Sequence, residues 1–175
     1  LEVRLVWLLA VLLALTQDVF AQEGPPPAQA ASLGFRLPTT DGKVYELERS
    51  EDARLTVVCF LGTECPLAKL YGPRLARLAD EFEPRGVRFV GVSSNRHDSM
   101  DEVRTYAQRH KMTFPFVKDY NNVVADRYQA TRTPEIVVVD DKLQVRYRGR
   151  IDDQYRPGVS RVKPTQHHLR VALQE

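Results

Sequence analysis

Cys65 is the residue of this sequence best placed for chemistry, because its neighbours predict a thiol at the start of a helix. An apolar run, residues 55–61, is followed by Gly62 and then by Cys65 and Pro66. The run predicts a buried strand, and proline is well tolerated at the first position of a helix. A thiol at a helix N-terminus faces free N–H groups and the positive end of the helix dipole, which favour the thiolate. The pattern therefore predicts a nucleophilic cysteine.

The alternative for Cys65 is a small apolar core residue, since free cysteines are often buried and inert. Its place between a strand and a helix argues against that alternative. Glu64 opposes the thiolate and Lys69, one helical turn on, favours it, so the helix terminus is expected to be the main activating feature. Cys59 lies inside the apolar run and is expected to pack in the core. If Cys59 faces the base of the site it could affect the redox chemistry, but the strand makes it a poor disulfide partner for Cys65.

The residues around Cys65 resemble the active-site motif of thioredoxin-fold redoxins, the group that contains thioredoxins, cytochrome-biogenesis thiol oxidoreductases and peroxiredoxins. Thioredoxins carry the motif W-C-G-P-C-K after their first core strand, and residues 64–69 match it. Cys65 matches the first cysteine of that motif and Ala68 the second, so the resemblance implies that the resolving thiol is missing. Cys59 matches the position of the buried acid of thioredoxins.

A second match to the redoxins is the run Arg-Thr-Pro-Glu at residues 132–135, which precedes the apolar residues 136–139. Redoxins have a cis-proline at the start of such a strand, packed against the active-site cysteine, and Pro134 matches it. The resemblance implies that Thr133 contacts a substrate strand. It also implies that Arg132 lies near the position at which peroxiredoxins carry their active-site arginine. Without the resemblance, Pro134 could simply begin a strand.

The chain departs from the peroxidase pattern at two positions. Peroxiredoxins place Thr or Ser three residues before their reactive cysteine, where this chain has Gly62, and that cysteine tends to match the position of Ala68. The resemblance is therefore to a peroxiredoxin-like branch of the AhpC/TSA (alkyl hydroperoxide reductase / thiol-specific antioxidant) family with one redoxin cysteine. It implies that Cys65 is catalytic and that Cys59 and Arg132 are weaker candidates. The active-site neighbours that it implies are Thr63, Pro66, Lys69, Thr133 and Pro134.

The elements that must position these residues follow from hydrophobic periodicity and turn signals. A hairpin is expected from residues 35–37 and 44–47, around the turn 40–43. Further strands and helices are expected as follows: strands at 55–61, 87–92, 117, 136–139 and 143–148, and helices at 67–82, 99–110, 121–128 and 165–173. This order predicts an α/β, thioredoxin-like fold with an N-terminal β-hairpin and an insertion between the active-site helix and the cis-Pro strand.

The N-terminus differs in composition from the rest of the chain. Residues 5–15 form an unbroken apolar run behind Arg4, and small residues favour signal-peptidase cleavage after Ala21. The run is shorter than the about 20 residues of a membrane span. The alternatives are a membrane anchor formed by residues 5–20, if the signal is uncleaved, and a buried core helix.

These patterns divide the chain into three segments. Residues 1–21 are expected to be a signal peptide, residues 22–32 a linker rich in Pro and Ala, and residues 33–175 a thioredoxin-like redoxin domain whose last helix either ends near Glu175 or continues beyond it. Export would bring the protein to the periplasm or the extracellular space, an oxidising compartment in which thiols act as redox groups.

Composition excludes several classes of function. The 175 residues suffice for one sizeable core, the net charge of +2 and the scattered basic residues do not suggest nucleic-acid binding, and two cysteines are too few for a disulfide scaffold. Three groups of polar residues are expected to be surface or turn features: His97 and His110, the pair His167-His168, and Asp152-Asp153. No metal and no cofactor is expected, and metal delivery is disfavoured because soft ligands are too few.

The resulting expectation is an exported redoxin with antioxidant or oxidoreductase activity that acts on disulfides or peroxides through Cys65. The products would be a mixed disulfide or a sulfenic acid. An external thiol or dithiol, or a cysteine beyond Glu175, would have to resolve them, and the substrate could be a protein that bears a disulfide. The rival expectation is a non-catalytic thioredoxin-fold interaction or scaffold domain, which the missing resolving cysteine favours.

Overall fold

The N-terminal hairpin is the first element of the computed structural model, which describes residues 32–49, 52–156 and 158–175. The predicted signal peptide, and all of the predicted linker except Ser32, lie outside these ranges. Strands β1 (Phe35–Pro38) and β2 (Val44–Leu47) pair in antiparallel fashion, as the turn signal predicts. Within the described ranges, no helix combines the length and the apolar character that crossing a membrane would need.

A five-stranded mixed sheet forms the centre of the fold. Its strands are β3 (Leu55–Phe60), β4 (Val87–Ser93), β5 (Phe116–Lys118), β6 (Glu135–Asp140) and β7 (Val145–Gly149), in the spatial order β5-β4-β3-β6-β7. Strand β3 is parallel to β4 and antiparallel to β6, with Phe60 paired to Glu135. The end of β3 therefore lies beside the start of β6, and the two segments that resemble redoxin motifs meet at one edge of the sheet.

Helices cover both faces of the sheet: α1 (Pro66–Phe82), α2 (Met100–Arg109), α3 (Val123–Arg127) and α4 (His168–Gln174). Every residue of β3 is buried, and alternate side chains enter two different cores. Val57 and Cys59 pack in the core that includes side chains of α1, α2 and α4. Val58 and Phe60 pack in the second core, with the hairpin and α3. Burial on both faces explains why β3 is apolar throughout.

Local signals set the ends of the two longest helices. Helix α1 begins at Pro66, directly after Cys65, and ends at Phe82. A short 3-10 helix, Glu83–Arg85, follows it and ends at Gly86, whose φ of +77° lies in the left-handed region that glycine favours. Helix α2 begins after Ser99, which forms a capping box with Glu102. Four elements, β4, α2, β5 and α3, separate α1 from β6 and account for the long spacing between Cys65 and Pro134.

The C-terminal segment differs most from the sequence prediction. Two short strands, β8 (Tyr155–Arg156) and β9 (Val159–Ser160), were not predicted, and α4 begins at His168 rather than at Thr165. The Asp153 carboxylate accepts hydrogen bonds from the N–H and hydroxyl of Thr165 and from the N–H of Gln166. These bonds lower the pKa of Asp153 and hold residues 165 and 166 outside the helix.

The turn predicted at Asp152-Asp153 is a buried polar cluster. The fully buried Asp152 carboxylate accepts hydrogen bonds from the Tyr71 hydroxyl, at 2.7 Å, and from the Arg74 guanidinium. Tyr71 and Arg74 belong to α1, so the cluster joins the C-terminal segment to the helix that follows Cys65. Both acidic side chains have hydrogen-bond partners within the fold.

Candidate active site

Cys65 occupies the N-cap position of α1, with φ −69° and ψ 118°. Its carbonyl accepts the first helical hydrogen bond from the Lys69 N–H, at 3.0 Å, and its own N–H closes a turn onto the Gly62 carbonyl, at 3.2 Å. The half-buried thiol forms no side-chain cap and instead donates to the Thr133 carbonyl, at 3.1 Å. The sulfur therefore faces the backbone of a distant segment.

That distant segment is the one that resembles the redoxin cis-proline. The Thr133–Pro134 peptide bond is cis, as the resemblance implies, and β6 begins at the next residue, Glu135. Cys65 and Thr133 are 68 positions apart in the chain. The pairing of β3 with β6 brings the thiol and this carbonyl together.

Gly62 packs closely against the end of the Asn95 side chain. A Cβ atom built there would overlap the side-chain amide of Asn95 and lie 3.3 Å from the Thr133 hydroxyl. Peroxiredoxins have Thr or Ser at the corresponding position, and such a residue would require the Asn95 side chain to move. The site therefore lacks the peroxiredoxin hydroxyl at this position.

Thr63 is buried and its hydroxyl does not reach the thiol. The hydroxyl donates to Asp98 Oδ1 at 2.7 Å, and the Thr63 N–H donates to Asp98 Oδ2 at 3.1 Å. Ser93 Oγ donates to the same Oδ2, at 2.9 Å. The sequence singled out Thr63 but missed Asp98, because no local pattern connects residues 35 positions apart.

The two charged neighbours of Cys65 pair with each other. Lys69 Nζ lies 3.3 Å from Glu64 Oε2, and both side chains are substantially exposed, so the pair contributes little to stability. Pro66 is exposed at the first position of α1. Arg132 is exposed as well, and its side chain takes part in none of the hydrogen bonds or ion pairs found within the described residues. No contact therefore connects Arg132 with the thiol in this part of the chain.

Cys59 and Ala68 are both fully buried, in the core beneath Cys65. Both cysteines are free thiols, and burial raises the pKa of Cys59 far above its ordinary value. Cys59 is thus the packing residue that the strand pattern predicts. Ala68 lies in the first turn of α1, where redoxins of the CxxC type carry their second cysteine.

Tyr106 of α2 supports this first turn from the side. Its buried hydroxyl donates to the Ala68 carbonyl at 2.7 Å, and burial, together with the negative charge that Cys65 carries when ionised, raises its pKa. A cleft of about 460 Å³ lies between α2 and the residues 62–65, which we call the cysteine loop. Lys69 and Arg109 contribute to its walls.

The histidines lie as predicted only in part. His97 and His167 are exposed, but His110 and His168 are half-buried, and each has a buried ring nitrogen without a hydrogen-bond partner among the described residues. His110 packs edge-on against Tyr106, with ring centroids 4.5 Å apart, and burial lowers its pKa. The described part of the chain contains no group of three or more His, Cys, Asp or Glu residues that could hold a metal.

Solved structures share this architecture. An uncharacterized conserved protein from Geobacillus kaustophilus superposes with a TM-score of 0.72 and 33% identity, over 81% of this chain and 77% of that one. A secreted disulfide oxidoreductase from Mycobacterium tuberculosis, described as homologous to E. coli DsbE, gives a TM-score of 0.64 over 81% of this chain and 96% of its own. Its identity of 18% supports the fold alone.

Sequence relatives give the same picture. The chain is 25% identical over 124 residues to the thiol-disulfide oxidoreductase ResA of Halalkalibacterium halodurans, which is 71% of this chain and 69% of the relative. The family model described as the AhpC/TSA family matches residues 28–148, more than half of the sequence and both segments that form the site. The chain therefore has a thioredoxin-like fold and belongs to the AhpC/TSA family.

Proposed function

We propose that this protein is a redoxin-type thiol–disulfide oxidoreductase whose only nucleophile is Cys65. The observation that carries the proposal is the position of the half-buried thiol, at the N-terminus of α1 and 3.1 Å from the carbonyl that precedes cis-Pro134. Free N–H groups of the first helical turn stabilise a thiolate, which is the attacking species in disulfide exchange. The similarity to a thiol-disulfide oxidoreductase supports the same chemistry.

The reaction consists of three exchanges. The Cys65 thiolate attacks one sulfur of a substrate disulfide, forms a mixed disulfide with it and releases the other substrate sulfur as a thiolate. A thiolate of the reductant then attacks the Cys65 sulfur of this mixed disulfide and releases the substrate as a dithiol. A second reductant thiolate attacks the Cys65–reductant disulfide, which frees Cys65 and leaves the reductant as a disulfide. Ala68 and the buried Cys59 cannot supply these two thiolates, so an external thiol or dithiol reductant does. The substrate we propose is a protein disulfide whose backbone reaches the Thr133 carbonyl.

Two features favour disulfides over peroxides as substrates. The Thr63 hydroxyl is bound to Asp98, and the side chain of Arg132 is exposed, so neither polarises a peroxide at the sulfur. The position at which peroxiredoxins carry a hydroxyl is Gly62 in this chain, which supplies none. Antioxidant activity on peroxides is therefore the second candidate, carried by the family membership alone.

Adduct formation on the reduced protein tests these alternatives. We expect glutathione disulfide to add one glutathionyl group, on Cys65 and not on the buried Cys59, as mass spectrometry of peptides would show. Hydrogen peroxide with a sulfenic-acid trap should label Cys65 more slowly. Faster labelling by peroxide would support the antioxidant candidate. A native protein that forms neither adduct would support the non-catalytic interaction domain.

The proposal extends to the place where the protein works. The apolar run at residues 5–15 supports export to the periplasm or the extracellular space, with residues 1–21 as signal, 22–32 as linker and 33–175 as the redoxin domain. N-terminal sequencing of the exported protein should begin at Gln22. A mature protein that retains residues 5–20 would show a membrane anchor instead.

A further inference from the structure

A buried carboxylate lies beneath the loop that carries Cys65, and the chemistry described above does not use it. We propose that Asp98 is a positioning residue, whose two oxygens fix the cysteine loop so that the Cys65 thiolate keeps one direction of attack. The inference rests on the proposed function, since it concerns the rate at which Cys65 attacks a disulfide.

Both oxygens of Asp98 are engaged, and two of its three bonds reach the cysteine loop. The side chain is 4% exposed. Oδ1 accepts from the Thr63 hydroxyl, and Oδ2 accepts from the Thr63 N–H and from Ser93 Oγ at the end of β4. Hydrogen bonds to a charged acceptor are stronger than those between neutral groups, and burial protects them from competing water. Thr63 is thereby held by its backbone and its side chain at once.

The loop between β4 and α2 supports the cysteine loop at a second point. The Asn95 side chain packs against Gly62, and the Asn95 carbonyl accepts a hydrogen bond from Lys118 Nζ at 2.5 Å. Lys118 of β5 is 2% exposed, and burial lowers its pKa although the nearby carboxylates act in the opposite direction. Two buried charged side chains from different segments thus hold the residues that precede Cys65.

A fixed Thr63 determines where the sulfur points. Thr63 precedes Cys65 by two positions. It lies within the turn that the hydrogen bond from the Cys65 N–H to the Gly62 carbonyl closes. Disulfide exchange needs the attacking sulfur close to the target sulfur and aligned with it, and misplacement by about 1 Å can slow a reaction about a hundredfold. Loss of the Asp98 contacts should therefore reduce the rate of attack even when the thiol is fully ionised.

Replacement of Asp98 with asparagine also removes a negative charge from the neighbourhood of the site, which is an effect separate from positioning. Other charged side chains near the site come from the cysteine loop, α1, α2, β5 and the residue that follows β5: Glu64, Lys69, Glu102, Lys118 and Asp119. The pH profile of the attack separates the two effects. Charge moves the midpoint of the profile, whereas positioning sets the rate on the plateau at high pH, where all of the thiol is ionised.

The test measures the plateau rate constant for attack on a peptide whose cysteine carries thionitrobenzoate. The Cys65 thiolate displaces the coloured thionitrobenzoate anion and forms the Cys65–peptide disulfide. Asp98→Asn and Thr63→Val remove bonds between these residues, and Thr63→Ser keeps the hydroxyl. Asp153→Asn is the matched control, because Asp153 holds the hydroxyl and N–H of Thr165 in the same way, in the C-terminal segment.

We expect the plateau rate to fall about tenfold in Asp98→Asn and by a smaller factor in Thr63→Val, with Thr63→Ser and Asp153→Asn close to the original protein. Thermal melting would identify a variant that does not fold. If Asp98→Asn is unfolded, Thr63→Val decides the question.

An unchanged plateau in folded Thr63→Val and Asp98→Asn would overturn the positioning role, even if the midpoint moved or the melting temperature fell. If the original protein releases no thionitrobenzoate, the proposed function fails, and this inference fails with it. The two failures are therefore distinguishable.

Discussion

Replacement of Cys65 with serine is expected to abolish reduction of a peptide disulfide by glutathione, with a fall of more than about a hundredfold to the uncatalysed rate. A serine hydroxyl is not ionised near neutral pH and does not attack disulfides, and no other accessible thiol exists in the described part of the chain. The measurement is a coupled assay that follows the oxidation of glutathione.

Cys59→Ala is the control for that variant. Cys59 is fully buried on β3, and removal of its sulfur should affect stability more than activity. Activity in Cys65→Ser close to that of the original protein would show that the observed turnover does not use Cys65. Loss of activity in folded Cys59→Ala as well would mean that the buried thiol participates.

Replacement of Ala68 with cysteine is expected to have the largest opposite effect. It places a second thiol at the third position of α1, where the side chains of the N-cap and third helical residues approach each other. An intramolecular thiol resolves the mixed disulfide far faster than an external one, so reduction of insulin disulfides should increase at least about tenfold. The measurement is the rate of insulin precipitation with dithiothreitol as reductant.

Leu70→Cys supplies the matched control, because it adds an exposed thiol on the same helix outside the CxxC spacing. Its activity should stay close to that of the original protein. Equal gains in both variants would show that any added thiol suffices, and no gain in Ala68→Cys would show that the first turn of α1 cannot close a disulfide with Cys65.

The fold was predictable from local patterns because each of its elements has strong ones. The apolar run at β3, the proline at the start of α1 and the capping box of α2 act over a few residues, and the structure confirms the elements they predict. The start of α4 was predicted wrongly because the Asp153 carboxylate binds residues 165 and 166. Hydrophobic periodicity predicts which residues face the core. It does not predict which backbone N–H groups donate hydrogen bonds to a side chain from another part of the sequence.

The site shows the same division between local and distant interactions. The turn after β3 identified Cys65 and Pro66, and the resemblance to redoxins supplied Pro134. Asp98 and Tyr106 could not be found in this way. A single aspartate before a helix and a tyrosine on the buried face of a helix are common in sequences and do not indicate an active site. Their importance arises only when α2 packs beside the first turn of α1.

The pairing of β3 with β6 has a consequence for the order of events during folding. The thiol and the Thr133 carbonyl lie 68 positions apart, and they meet only when the register between Phe60 and Glu135 has formed. Contacts of such large sequence separation form late, because loop closure must precede them. A chain that is still being synthesised thus carries Cys65 without the Thr133 carbonyl beside it, and the two groups meet only in the closed sheet.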